Sequence, residues 1–113
     1  MRVCRNQGLV VAAADEVLDE SSGETMLMRQ AALGNTGAVG LLADAGARAD
    51  AVDRKGETAL MYAAGTGQRE TAVFLVRECG ADAGAADKNG ASTVFIAAGS
   101  GHTATVRALV QEC

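Results

Sequence analysis

Few side chains in this sequence have the types and spacing that catalysis requires. His102 is the only histidine and could act as a general base, because imidazole titrates near neutral pH. No serine or cysteine lies beside it at a recognisable catalytic spacing, and the chain offers no set of nucleophile, base and oxyanion donor. We therefore expect no enzyme activity from this chain on its own.

The cysteines and glycines do not indicate a cofactor site. Cys4, Cys79 and Cys113 are odd in number and form no C-x-x-C pair, which argues against a disulfide framework and a zinc site. Residues 65–67 read GTG, but the lysine and the preceding strand of a phosphate-binding loop are absent. The sequence predicts no cofactor and no metal, and its cysteine usage favours an intracellular, cytoplasmic protein.

Charge and hydropathy argue against nucleic acid and membrane as partners. The formal net charge is −4, and lysine and arginine form no basic stripe that could displace counterions from phosphates. The apolar run from Leu9 to Ala14 is too short for a membrane span or a secretory signal. The acidic residues within 15–20 could dock a basic partner, although a solvated hairpin is the simpler interpretation.

The strongest pattern is a segment that recurs at a nearly constant interval. Residues 53–60 read DRKGETAL and residues 87–94 read DKNGASTV, an offset of 34, and the segment GETML at 23–27 precedes its equivalent by 33. A period of this length is typical of stacked supersecondary units. Since 49% of the residues are hydrophobic but only 3% are aromatic, we expect stability to come from many small contacts between neighbouring repeats.

Turn and cap signals within one period predict two helices. Gly56 supplies the positive φ of a tight turn, and Thr58 is placed to cap a helix that begins near Ala59. Glycines about two turns later end that helix early. The apolar stripe of residues 69–78 predicts a second helix, which a Gly-Ala-Asp segment at 80–82 terminates. The unit is helix, turn, helix and then an extended turn.

These residues together resemble the ankyrin repeat, whose pattern is roughly D-x-x-G-x-T-P-L-H-x-A-A-x-x-G-H, then an apolar outer helix and G-A-D. The resemblance implies an all-α solenoid of stacked helix-turn-helix units joined by β-hairpin-like turns. It also implies that His102, at the G-H position, makes structural hydrogen bonds. The middle repeat matches at Asp53, Gly56, Thr58, Leu60, Ala63, Ala64, Gly67, Leu75, Gly80, Ala81 and Asp82.

The chain departs from that family pattern at its Pro and His positions. The middle repeat has Ala59 and Met61 there, and the last repeat has Thr93 and Phe95. The motif is therefore a T-A-L-M variant of T-P-L-H. Met and Phe cannot make the hydrogen bonds of the family's His. We therefore expect apolar contacts to hold the inner helices together.

The period also divides the chain. Residues 1–19 are expected to form the outer helix and hairpin of a truncated leading repeat. Three repeats follow at 20–52, 53–86 and 87–113, the first degenerate and the last ending after its outer helix. Because neither end shows a polar capping repeat, we expect both ends to fray and end-to-end self-association to be one way of covering them.

By resemblance, the expected function is protein binding without catalysis. Ankyrin arrays bind partners on a concave face of hairpin tips and inner helices. Tyr62, the only tyrosine, is the best anchor because it offers contact area and a polar tip at low entropic cost. The alternative is a regulatory or targeting segment of a longer signalling enzyme such as a kinase. The residues carried over by position are Arg29, Arg54, Lys55, Glu57, Tyr62, Thr66, Lys88, Asn89 and Ser100, with Leu33 and Ile96 completing the inner-helix surface.

The three cations at the hairpin tips refine the expected partner. Arg54, Lys55 and Lys88 give this face a local positive charge on an acidic protein. Electrostatic complementarity then favours a protein segment that carries carboxylates or phosphate.

Overall fold

The computed structural model describes residues 17–19 and 21–112, with side chains from 21 to 111. Over this part of the chain, short and longer helices alternate after one small hairpin. The elements are β1 (Val17–Asp19), β2 (Glu24–Thr25), α1 (Met26–Leu33), α2 (Thr36–Asp44), α3 (Ala59–Gly65), α4 (Arg69–Cys79), α5 (Thr93–Gly99) and α6 (Thr103–Glu112). The predicted all-helical repeat fold is confirmed.

The inner helices α1, α3 and α5 begin with the same cap. The hydroxyls of Thr25, Thr58 and Ser92 each accept a hydrogen bond from the backbone N–H three residues on, at 3.2–3.3 Å. This bond satisfies one of the N–H groups that a helix start leaves without a partner, and its loss typically costs about 1 kcal/mol. The predicted start at Ala59 is confirmed.

Glycines end the helices where the sequence predicted. Gly80, with φ 74°, terminates α4 one residue later than the predicted end at Glu78. Gly67, with φ 78°, makes the tight connection from α3 to α4. Both residues adopt the left-handed conformation that a Cβ disfavours, so these positions separate one helix from the next element.

The helices form two layers. The inner helices lie side by side in the order α1, α3, α5, the outer helices in the order α2, α4, α6, and each outer helix packs against its own inner helix. The largest fully buried apolar side chains are Leu27, Met28, Leu60, Met61 and Leu75, and alanines fill most of the remaining core. Small side chains let the helices approach closely and spread the burial over many small contacts.

A hairpin precedes each inner helix. Strands β1 and β2 pair antiparallel, with Val17 opposite Thr25, and a single bridge joins Ala86 to Ser92 in the last hairpin. Of the leading segment 1–19, only β1 is described, so the outer helix predicted there lies outside the described residues. The extended turn predicted between Asp82 and the last inner helix is confirmed.

Hydrogen bonds as well as apolar contacts connect neighbouring repeats. The Gln68 amide donates to the Ala32 carbonyl at 3.3 Å, and one repeat later His102 Nε2 lies 3.1 Å from the Gly65 carbonyl. The expectation that apolar contacts hold the inner layer is therefore incomplete. The predicted structural role of His102 is confirmed, since its ring bonds the end of the preceding inner helix.

The residues at the family's His position differ in burial. Met28 and Met61 are 1% and 2% exposed, as expected for inner packing, and Met28 Sδ also accepts a weak hydrogen bond from Thr25 N–H at 3.4 Å. The equivalent Phe95 is 68% exposed. The expectation of inner packing is therefore wrong for Phe95, most of which lies in solvent.

Candidate functional site

An aspartate, buried at Asp53 and half-buried at Asp87, shapes each of the last two hairpin tips. Asp53, 5% exposed, accepts hydrogen bonds through Oδ1 from the N–H groups of Lys55 at 2.9 Å and Glu57 at 2.8 Å. Asp87 does the same with the N–H groups two and four residues on, both at 2.9 Å. The carboxylates therefore point into the turn, while the side chains of Lys55 and Asn89 extend into solvent.

Backbone hydrogen bonds hold the tips against one another. Arg54 N–H donates to the Ser22 carbonyl at 2.8 Å, and Lys88 N–H donates to the Lys55 carbonyl at 2.9 Å. Gly56 permits this approach, because a Cβ there would lie 2.9 Å from the Lys88 nitrogen. Lys55 and Lys88 consequently occupy adjacent, directly bonded tips, and both are exposed.

Tyr62 lies at the junction between a tip and an inner helix. Its hydroxyl donates a 2.6 Å hydrogen bond to Asp53 Oδ2. Burial and this bond raise the pKa of Tyr62 well above its usual value. Burial opposes ionisation of Asp53, but hydrogen bonds from Tyr62, Glu57 and Lys55 outweigh it and lower the pKa of its carboxyl. The phenol hydroxyl is therefore used within the repeat, and the ring is what remains for a partner.

Glu57 contributes to the tip mainly through its backbone. Its side chain is half-buried, and burial together with the nearby Asp53 carboxylate raises its pKa, while Lys55 opposes the rise. Its main contribution to the tip is the backbone N–H that Asp53 accepts.

The remaining predicted residues lie on the inner helices. Arg29, with a side chain 51% exposed, forms an ion pair with Glu24 at 3.3 Å. The Thr66 hydroxyl donates to the Tyr62 carbonyl at 2.9 Å, and Ser100 is the exposed C-cap of α5. Arg29 and Tyr62 occupy equivalent positions of α1 and α3, and Thr66 and Ser100 equivalent positions at the ends of α3 and α5.

The contacts that three acidic residues of this region make within the fold were not predicted from the sequence. Asp53 and Asp87 organise the tips, and Glu24 holds Arg29. The sequence does carry a signal for Asp53 and Asp87. They lie 34 residues apart, and each precedes a turn glycine by three residues. The pairing of Glu24 with Arg29 had no comparable signal, since the two lie in different elements.

The described residues offer little other chemistry. Cys79 is half-buried, and burial with the nearby Asp44 and Glu78 carboxylates raises the pKa of its thiol, which disfavours a reactive thiolate. Cys4 and Cys113 lie outside the described side chains. Within the part of the chain that the structure describes, no group of three or more His, Cys, Asp or Glu residues could hold a metal ion. No helix there has the length and apolar character needed to cross a bilayer.

The helix cap, the hairpin tip and the helix pair recur along this chain, which places it in the class of helical repeat proteins. The family model for ankyrin repeats, in three copies, matches residues 1–87. The chain therefore belongs to the ankyrin-repeat family. The helices α5 and α6 lie beyond the matched range but repeat the cap, the aspartate turn and the junction hydrogen bond of the preceding units.

Comparison with solved structures shows the same fold. One similar chain comes from the crystal structure of the yeast ribosomal protein Rps3 in complex with its chaperone Yar1, with 23% identity and a TM-score of 0.84 over 92% of this chain and 75% of that chain. Because 285 chains of solved structures match, this likeness identifies a widely used fold and not a particular partner. No curated protein matches the sequence.

Proposed function

We propose that this protein is a protein-protein interaction module that binds its partner on the concave face of hairpin tips and inner helices, without catalysis. The binding surface consists of Arg29, Arg54, Lys55, Glu57, Tyr62, Thr66, Lys88, Asn89 and Ser100. Membership of the ankyrin-repeat family supports a binding role. The lone histidine supports the absence of catalysis, because its ring is used at a junction between repeats.

The observation that carries the proposal is the inward orientation of the acidic groups at the tips. Oδ1 of Asp53 and of Asp87 accepts two backbone N–H groups of its own tip, whereas Lys55 and Lys88 extend into solvent from adjacent tips. The exposed charge of this region is therefore positive on a protein of net charge −4. Such a patch attracts a protein segment that carries carboxylates or phosphate.

Apolar contact area lies beside these charges. The Tyr62 ring is half-buried with its hydroxyl directed to Asp53, and Leu33, at the end of α1, is 68% exposed. A held aromatic ring loses little entropy on binding, so it is a suitable anchor. We infer that the partner segment combines an anionic group with apolar side chains.

Two further observations support parts of the proposal. The crystal structure of Rps3 with Yar1 shows a chain of this fold in a complex between a protein and its chaperone. The helix pairs of this chain begin at residues 26, 59 and 93, which supports repeat boundaries at residues 53 and 87.

Affinity capture with matched charge variants tests the proposed surface. The test variant is Lys55→Glu with Lys88→Glu. The control is Arg77→Glu with Arg107→Glu, which makes the same charge change at exposed positions of the outer helices. Circular dichroism establishes that both variants keep the helical content of the wild type.

We expect proteins that the wild type and the control capture to be lost from the test variant. Binding of the purified partner should weaken at least about tenfold for the test variant and fall with rising salt. A partner retained by the test variant but lost from the control would place binding on the outer helices and overturn the proposal.

A further inference from the structure

Two lysines of adjacent hairpin tips lie side by side. The Lys88 N–H donates to the Lys55 carbonyl at 2.9 Å, so the two residues are joined directly through their backbones. The Lys88 side chain also runs along the neighbouring tip, since its Cγ would lie 3.0 Å from a Cβ on Gly56. Both lysines are exposed, and each has a flexible four-carbon stem. Their ammonium groups can therefore reach the same point in the solvent beside Gly56.

The fold does not neutralise these two ammonium groups. Among the residues that the structure describes, Lys55 and Lys88 form no ion pair. Asp53 and Asp87 belong to the same tips, but Oδ1 of each accepts two backbone N–H groups. Glu57 is near enough for its charge to act on Lys55, but the two are not in contact. The lysine pair is therefore available to an anionic ligand.

The backbone N–H groups of the two tips are already used. Those of residues 54–57 all donate within the fold, one to the Ser22 carbonyl and three to oxygens of Asp53. Those of residues 88–91 donate to the Lys55 carbonyl and to oxygens of Asp87. An anion at these tips is therefore bound by side chains, and not by a nest of backbone N–H groups.

A lysine pair of this kind suits a phosphate monoester better than a carboxylate. The fork of an arginine matches a carboxylate through two parallel hydrogen bonds, whereas a lysine ammonium group is a compact charge with three donors. One carboxylate neutralises one ammonium group and leaves the other without a partner charge. A phosphate monoester carries a charge of about −1.5 to −2 at about pH 7 and three acceptor oxygens, so it can bond both ammonium groups at once.

An aromatic ring is attached to the same tip. The Tyr62 hydroxyl and the Lys55 N–H donate to the two oxygens of one carboxylate, that of Asp53, at 2.6 Å and 2.9 Å. The half-buried Ile96 occupies the position of Tyr62 one repeat later. A phosphorylated polypeptide has apolar side chains to place on these residues, which inorganic phosphate lacks. The site therefore favours a phosphorylated protein segment.

We propose that Lys55 and Lys88 together bind one phosphorylated serine or threonine of the partner segment, next to an apolar residue of that segment on Tyr62. This inference rests on the proposed function, because it names the chemistry that the same surface recognises. A short phosphorylated side chain keeps the phosphate close to its own backbone, so that a neighbouring residue reaches the ring. Arg54 lies outside this subsite, since its Cγ lies over Gly23 of the preceding tip.

Peptide libraries test the subsite on the full chain. Three libraries have the same randomised flanks and differ at the central residue, which is phosphoserine, glutamate or serine. We expect peptides selected from the first library to bind at least about tenfold more tightly than their glutamate counterparts. Apolar residues should be enriched beside the phosphoserine. Fluorescence anisotropy of the purified peptides measures the affinities.

Lys55→Gln and Lys88→Gln are the critical variants. Arg77→Gln and Arg107→Gln, at exposed positions of the outer helices, remove the same charge and are the matched controls. Each lysine substitution alone should remove most of the preference for phosphoserine over glutamate, because a bridging phosphate needs both cations. The control variants should keep that preference, and circular dichroism establishes that all four proteins are folded.

Three results would overturn the inference. Equal binding of phosphoserine and glutamate peptides would assign the lysine pair to carboxylates. A preference for phosphoserine that survives both lysine substitutions would place the phosphate elsewhere. A phosphoserine library that yields no binding peptide would show that the subsite does not exist.

Phosphatase treatment separates this inference from the proposed function. A captured partner protein should lose its affinity for the wild-type chain once it is dephosphorylated. A partner that binds equally well after this treatment, and is still lost from Lys55→Glu with Lys88→Glu, would refute the phosphate subsite. The same result would leave the binding surface of tips and inner helices in place.

Discussion

The Tyr62 hydroxyl donates a 2.6 Å hydrogen bond to Asp53 Oδ2 and so ties an inner helix to the tip of its own hairpin. Asp53 Oδ1 simultaneously accepts two backbone N–H groups of the same tip. The last repeat has the same aspartate turn at Asp87 but Ile96 in place of the tyrosine. Tyr62 therefore stabilises the tip that carries Lys55, in addition to offering its ring to a partner.

Tyr62→Phe should destabilise the fold. The change removes a hydrogen bond to a buried carboxylate, and we expect a loss of about 1 kcal/mol in the free energy of unfolding. Urea denaturation measures it. In the Asp53→Asn background the same change should cost clearly less, and equal costs in both backgrounds would show that the two groups are not coupled.

The acid limb of the stability curve should depend on Asp53. Its folded pKa lies below the ordinary value of 3.8, so the unfolded state binds the proton more readily. The stabilisation that the ionised Asp53 gives to the folded state is complete above about pH 5. It is lost as the pH falls through 3.8 and then through the folded pKa. The pKa of Glu57 is raised, so its effect on stability as the pH falls is opposite to that of Asp53.

Urea midpoints between about pH 2 and about pH 7 test this dependence. The wild type should lose more stability on acidification than Asp53→Asn. Parallel curves for the two proteins would contradict the assignment.

Gly56→Ala should cost more than Gly90→Ala. Both glycines have positive φ, 80° and 81°, so both substitutions carry a similar backbone strain of about 1 kcal/mol. Only at Gly56 would the new Cβ meet the next hairpin, 2.9 Å from the Lys88 nitrogen. Thermal denaturation should show an additional loss of at least about 1 kcal/mol for Gly56→Ala. Equal losses would mean that the tips are not in close contact.

Thr93→Val should stabilise the protein. The Thr93 hydroxyl is fully buried and has no hydrogen-bond partner, whereas Ala59 occupies the equivalent position. Replacing the hydroxyl by a methyl of the same shape removes a desolvation cost of about 1 kcal/mol.

Thr71→Val is the control for Thr93→Val. Thr71 is equally buried, but its hydroxyl lies 2.7 Å from that of Thr36, so the same change should destabilise. Chemical denaturation of both variants decides the point, and a loss of stability for Thr93→Val would contradict it.

Local sequence signals were sufficient to predict the helices of the repeat. Thr58 and Gly80 mark the start of α3 and the end of α4 through caps that involve only neighbouring residues. The repeated G-H position similarly indicated that His102 has a structural role. These predictions succeeded because the determining contacts lie within one repeat or recur in each repeat.

Contacts that depend on one particular neighbour could not be predicted. Met61 and Phe95 occupy the same place in the pattern, yet only Met61 is covered, because burial there depends on the next repeat. The bond between Tyr62 and Asp53 connects residues nine apart with no counterpart in the last repeat. The sequence thus predicted where Tyr62 lies but not that its hydroxyl is already used.

Site-specific photocrosslinking tests the central claim, that the tips and inner helices bind a protein partner. A photoreactive amino acid is placed singly at Thr66 or Asn89 of the binding surface, and at Glu78 or Arg107 of the outer helices, all of them exposed. We predict the same crosslinked partner from Thr66 and Asn89 and none from Glu78 or Arg107. A partner that crosslinks from Glu78 or Arg107, but from neither Thr66 nor Asn89, would contradict the account.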